Sequence, residues 1–351
     1  MLCPLRLKTD AILIKLSRSK MKRYGDYVMG IIRHQRKRQQ LNRIPLYKNY
    51  HERVKYLANK DMPIDFLLAG ELAQIQTFVI PSISRLLHRT KQYENAGTKR
   101  LDDTRAILTE CMVDTVHSER GQTMVEQLNF IHSHYPISND DYLYTLALFM
   151  VEPVRWSETF GYRRLSEDEK QALYLEFRDL GIAMNIQQIP EDFYAVKHWY
   201  EQYRRQNMTF DPANRAVTEG LIRGMQNMMP KFIRLLTNPL LRNFVLTMVN
   251  DDEALKALGI DPPLKPVQQL FRGIMRLRAR IAKRINIWQI FDYENSLIYR
   301  YYKSYPGGYQ VRCLGPEKII SRLPMTENAP VCPFGGALNR QQGGGKEAVV
   351  E

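Results

Sequence analysis

Histidine is scarce, seven in 351 residues, and the pair His132 and His134 sits where it could do chemistry. Both fall near the end of the segment Glu119 to Tyr135, whose apolar residues Met124, Val125, Leu128, Ile131 and Tyr135 recur at helical spacing. His132 lies four residues beyond Leu128 and seven beyond Val125, so it projects from the apolar stripe. His134 is turned about 200° further round at ~100° per residue. On the preceding helical segment Leu101, Thr104, Leu108 and Cys111 form the inward stripe, with Arg100 one turn before Thr104 on the same face. An inward guanidinium needs an anionic or carbonyl partner, because a buried unpaired charge is costly. An imidazole, a guanidinium and a hydroxyl on adjacent helices suit a heme, with the imidazole on iron and the guanidinium on a propionate. The same trio also suits an ordinary hydrogen-bonded polar core.

Other reactive devices are missing. The sequence has no phosphate loop, dinucleotide glycine fingerprint, nucleophile elbow or paired-histidine zinc helix, so an enzyme of this kind borrows its reactivity from a cofactor. The four cysteines, Cys3, Cys111, Cys313 and Cys332, have no metal-type spacing. They suggest neither a zinc site nor a disulfide framework, and a reducing compartment is the expectation.

The elements that must position these residues are helices. Helical patterns cover Asp65 to Val79, Arg100 to Val113, Glu119 to Tyr135, Asp141 to Trp156, Glu167 to Asn185, Asp192 to Arg205, Arg215 to Leu236 and Lys265 to Ile287. Ser166 with Glu169 reads as a capping box, and Ser138 before Asp141 offers a similar start. Pro190, Pro212, Pro239 and Pro262–Pro263 mark breaks. Extended structure is limited to a short piece around Tyr309 to Leu314. The run Phe66 to Leu87, interrupted by Glu71, Gln74, Gln76 and Pro81, fits a buried helix pair better than a membrane span. The expected fold is all-α, a single multi-helix domain over residues 61–325, between a basic arm at 1–60 and a glycine-rich flexible tail at 326–351.

Charge is distributed unevenly. Residues 1–60 hold 16 basic and three acidic residues, which leaves 35 basic and 34 acidic on the remainder. A neutral body with a cationic arm does not match a nucleic-acid-binding surface, and no specific nucleic acid is expected as a partner. Within the arm Met21, Tyr24, Val28 and Ile31 form the apolar side of a basic amphipathic helix. It reads either as a terminal helix docked on the core or as an interfacial helix on anionic lipid, with residues 1–40 as the membrane contact.

In ordered pieces along most of its length, the chain resembles the fungal endoplasmic-reticulum-bound oxygenases of mycophenolic-acid-type biosynthesis, which share a catalytic domain with bacterial latex-clearing rubber oxygenases. The pieces are Ile80-Pro81-Ser82-Ile83-Ser84, Lys99-Arg100 before Asp103-Thr104, Phe130-Ile131-His132-Ser133, and Asp141 through Phe149 continuing to Pro153-Val154-Arg155. Near the end follow Tyr305-Pro306, Gly308-Tyr309, Gly315-Pro316 and Cys332-Pro333-Phe334. The resemblance implies an all-α fold enclosing a b-type heme. His132 would be the proximal iron ligand, with Arg100 and Thr104 as the Arg-x3-Thr pair at the cofactor. It implies dioxygen-dependent cleavage of a carbon–carbon double bond in a lipophilic isoprenoid-type chain. A heme- or lipid-binding protein of the same fold without turnover is the alternative. Met225, Met228 and Met229 are candidates for a substrate channel, and Arg155 for a second polar contact. Rubber-cleaving relatives tend to carry a Lys just before the motif Thr, where this chain has Asp103. Fungal relatives carry an N-terminal membrane anchor. None is read in this sequence, so the expectation is attachment to the cytoplasmic face of the endoplasmic reticulum, either peripherally through the arm or through an anchor missing from this sequence, with a cytoplasmic location as the alternative.

Overall fold

Each long amphipathic segment finds its apolar partner by helix-on-helix packing, and the computed structural model describes this for residues 35–284, 302–306 and 308–322. The helices that frame the site are α1 (Leu46–Tyr56), α2 (Pro63–Thr77), α3 (Pro81–Thr90), α4 (Gln92–Asp114), α5 (Glu119–His132), α6 (Asn139–Thr159) and α7 (Glu167–Ala183). They continue as α8 (Phe193–Asn207), α9 (Pro212–Met228), α10 (Arg234–Val249), α11 (Asp252–Ala257), α12 (Lys265–Arg284) and α13 (Glu317–Ile320). The described residues contain no strand, and one apolar core runs from Val54 to Val311. The protein is all-α and a single domain. The expected amphipathic helix near residues 21–32 and the tail at 326–351 lie outside the described residues.

Local signals explain most boundaries. Ser166 and Glu169 form the reciprocal capping box, and Ser138 accepts from the Asp141 amide. Asp192, Asp211 and Asp251 cap α8, α9 and α11 in the same way. The apolar run Phe66 to Leu87 is indeed a helix pair, α2 and α3, bent by 95° at the break before Pro81. No single helix among the described residues is long and apolar enough to cross a membrane.

Four expectations need correction. Arg215 to Leu236 is two helices, because Pro230 forces Met229 into an extended conformation (ψ 146°) and ends α9. Pro239 does not break the chain; it lies inside α10, where the carbonyl it strips of a donor belongs to fully exposed Leu235 and can turn to solvent. The piece around Tyr309 to Leu314 is a 3-10 turn at Val311–Cys313. Cys313 is disulfide-bonded, with its partner outside the described residues, so the thiols are not all reduced.

The arm residues nearest the domain join its core. Val54 and Leu57 are fully buried, α1 packs along α7, and Asp61 binds Arg38 at 2.8 Å together with Arg163.

Helices α4 and α9 cross in close contact. A Cβ on Gly97 would lie 2.7 Å from the Gly220 carbonyl oxygen, and one on Gly224 would lie 2.6 Å from the Gly97 carbonyl carbon. Only hydrogen fits at these positions, so the two backbones touch and the Thr98 hydroxyl donates to the Gly224 carbonyl at 3.1 Å. Gly224→Ala is expected to lower stability by about 1–3 kcal/mol through overpacking, seen as a lower thermal midpoint. Gly273→Ala, in α12 with nothing near the added methyl, should leave the midpoint unchanged or raise it.

Candidate functional site

Helices α2 to α7 surround a cavity with ≈ 1080 Å³ of space free of protein atoms, its mouth included. Its walls are mostly apolar, with Leu86, Ile107, Leu128, Leu146, Phe149 and Leu180 among them. Arg100, Thr104 and His132, the three residues singled out by helical geometry, all line it. Volume, apolar walls and a few convergent polar groups are the properties of a cofactor or ligand site.

The polar groups are unusually short of partners. His132 Nδ1 is shielded from solvent and has no hydrogen bond, and Tyr142 packs edge-on against the ring with centroids 5.4 Å apart. Burial, and then the positive charge of Arg100, push the His132 pKa down to about 4. At neutral pH the imidazole is therefore uncharged, the form that can offer a lone pair to a metal. The Arg100 guanidinium donates to the Thr104 hydroxyl, which in turn donates to the Arg100 carbonyl at 3.0 Å, and the guanidinium lies 5.4 Å from the centre of the Tyr93 ring. No carboxylate pairs with Arg100 among the described residues. The anionic partner that an inward guanidinium calls for is not supplied by these side chains.

Sequence reasoning missed Gln74, which also lines the cavity and is buried with neither its amide nitrogen nor its amide oxygen hydrogen-bonded. The signal was present, since Gln74 interrupts an otherwise apolar run. Tyr142 and Asp141 are further lining residues from the Asp141-to-Phe149 piece, with Asp141 accepting from Ser82 at 2.7 Å and from Tyr203 at 3.0 Å.

Other expected residues lie elsewhere. Met225, Met228 and Met229 border a second apolar cavity between α2, α9 and α10, floored by the Arg105–Glu71 ion pair, and do not reach His132. Arg155 pairs with Glu152 at 2.7 Å and donates to the Val249 carbonyl at 3.0 Å, away from the site. His134 is held by the Phe130 carbonyl at 2.8 Å and does not line the cavity. Asp103 turns to the opposite face of α4, where it binds Lys99 at 3.1 Å and the Tyr305 hydroxyl. Lys99 also donates to the Gly315 carbonyl at 2.7 Å, so this cluster clamps the terminal segment 302–322 onto α4. Gly315, at φ 115°, fits there because its missing Cβ leaves room for Ile131, the neighbour of His132.

Residues 62–280, spanning all the cavity walls, match the catalytic domain described as ER-bound oxygenase mpaB/B'/Rubber oxygenase. The chain belongs to this family. Among curated relatives it is 30% identical over 250 residues to the ER-bound oxygenase mpaB' of Penicillium brevicompactum, covering 66% of this chain and 58% of that one. It is 35% identical over 179 residues to mpaB of the same fungus, covering 46% of each. It is 35% identical over 159 residues to mpaB of Penicillium roqueforti (strain FM164), covering 42% of this chain and 53% of that one. The chain thus spans about half the length of the mpaB-type relatives it matches.

Among the described residues of this mpaB/rubber-oxygenase-type domain, no three His, Cys, Asp or Glu side chains gather as a metal-ligand cluster. The donor set that is present, one unpartnered imidazole beside one unpaired guanidinium in an apolar cavity, fits a metal carried by a macrocycle with acidic substituents.

The depressed histidine has a measurable consequence for the ligand-free protein. Its folded-state pKa lies below the ordinary 6.5, so as pH falls from about 6.5 to about 4 unfolded chains bind a proton that the folded protein refuses. Stability is undiminished above that window and falls within it, by up to about 3 kcal/mol. Urea unfolding between pH 7 and 4.5 should show a shallower acid loss for His132→Leu than for wild type.

Proposed function

We propose that this protein is a heme-dependent oxygenase that cleaves a carbon–carbon double bond in a lipophilic, isoprenoid-type chain at the endoplasmic reticulum membrane. The observation that carries the reading is the pairing, in one apolar cavity, of a neutral unpartnered imidazole with a guanidinium that has no carboxylate. Membership of the oxygenase family and the names of the relatives support the oxygen chemistry.

In this reading heme b supplies dioxygen binding and oxidation chemistry, with dioxygen as co-substrate. His132, kept uncharged by burial and by Arg100, is the protein's iron ligand. Arg100 holds a propionate, oriented by its hydrogen bond to Thr104. Tyr142 packs edge-on against the imidazole and limits its rotation. The apolar walls from Leu86, Ile107, Phe149 and their neighbours bind a greasy chain and exclude water from the reacting atoms. Attachment to the membrane surface through the basic residues of 1–40 would bring the cavity near a membrane-dissolved substrate.

The absorption spectrum tests this directly. Wild-type protein produced with heme available should show a Soret band, and His132→Ala should lose or shift it. Arg100→Ala should bind heme about tenfold more weakly, the scale of one charge-assisted contact. Wild type with no Soret absorbance would remove the heme from the reading. An unchanged His132→Ala spectrum would remove the ligand assignment.

A further inference from the structure

Among the described residues, 14 large hydrophobic side chains are exposed, and nine of them lie on α10, α12 and the residues leading into them. Phe232 is 87% and Leu235 95% exposed at the start of α10, followed by Leu236 and Leu240. The neighbouring α12 packs on α10 through Phe271 against Phe244, with ring centroids 5.6 Å apart.

At ~100° per residue α12 divides into three sectors. Phe271, Met275, Arg278 and Ala282 turn to the core, where Arg278 binds Asp65 and donates to the Phe160 carbonyl at 3.0 Å. Leu270, Ile274, Leu277 and Ile281 form an exposed apolar stripe to one side. Lys265, Arg276, Arg280 and Lys283 are exposed on the other. A stripe of this length open to water is unusual for a soluble surface and marks a docking face.

Charge identifies what docks. Residues 229–249 and 264–284 together contain ten Lys and Arg and no Asp or Glu; Arg278 and Arg242 are ion-paired with Asp65 and Glu219, while Lys231, Lys265, Arg276, Arg280 and Lys283 are exposed. A second copy of the chain would bring like charge against like charge. An anionic bilayer offers phosphate and carboxylate to the cations and acyl chains to the leucines, the pattern of an interfacial helix. We propose that α10 and α12 form a membrane-docking face of the catalytic domain, selective for anionic phospholipid and separate from the basic arm. This inference does not rest on the heme or oxygenase reading.

The full-length protein is tested with phosphatidylcholine vesicles, with or without about one quarter phosphatidylserine. In flotation, Leu270→Ser/Leu277→Ser should lower partition onto the serine-containing vesicles about tenfold or more. Both side chains are exposed, so the fold should survive. Because the arm is also proposed to bind lipid, Ile274→Trp reads the face itself, as emission relative to the parent chain with brominated phosphatidylcholine. Quenching supports the proposal. Emission unaltered by vesicles, or already blue-shifted without them at every protein concentration, as under a covering segment such as 285–301, would overturn it. A blue shift that grows with protein concentration and is not quenched would assign the face to self-association and also overturn it.

Discussion

Three missing side chains hold the arrangement in place. With hydrogen alone at Gly97, Gly220 and Gly224, α4 and α9 meet backbone to backbone, and neither can roll or slide without a clash. That contact fixes the rotation of α4, and α4 distributes its faces among every other part of the site. Arg100 and Thr104 face the cavity, Lys99 and Asp103 face the terminal segment, and Arg105 faces the second cavity. Tyr93, at the start of the same helix, packs edge-on against Phe78 at 5.0 Å and presents its ring to Arg100. A single helix thus carries both the polar edge of the cavity and the clamp behind it.

The cavity is energetically unfinished. Arg100, His132 and Gln74 all present polar atoms to a space walled by leucine, isoleucine and phenylalanine, and the chain satisfies few of them. Elsewhere the same fold pairs its buried charges with care: Asp61 with Arg38 and Arg163, Asp65 with Arg278 and the Trp156 indole. A site of this kind gives up stability in the empty protein and recovers it when a ligand with matching groups enters.

What could be read from the chain followed the physics of amphipathic helices. Long segments with one apolar stripe, such as α4 and α5, reveal which residues turn inward, and so Arg100, Thr104 and His132 were legible before any coordinates. Ser138 and Ser166 were legible as caps because their chemistry is local. A stripe shows which way a side chain faces but not which neighbour it meets, so the sequence could not say that Met225, Met228 and Met229 border a cavity separate from that of His132. Gln74 lies on α2, which is buried over most of its surface and carries almost no periodic signal. The partners of Asp103 and Lys99 lie some two hundred residues further along, beyond the reach of any local pattern. On α12 the periodicity was visible, but core and exposed apolar stripes look alike in a sequence.

The clamp made by Lys99, Asp103, Tyr305 and Gly315 also sets an order of events during synthesis. Residues 302–322 emerge from the ribosome after every helix of the cavity, yet Gly315 seats against Ile131, and Gln127 donates to the Leu314 carbonyl at 2.8 Å. Contacts of such long sequence separation form late. The nascent chain must therefore carry an unbraced α4–α5 pair, with its apolar walls and unpaired guanidinium, until nearly the whole domain has been made. For this architecture, the walls of the cavity are braced only at the end of translation, when residues 302–322 seat against α4 and α5.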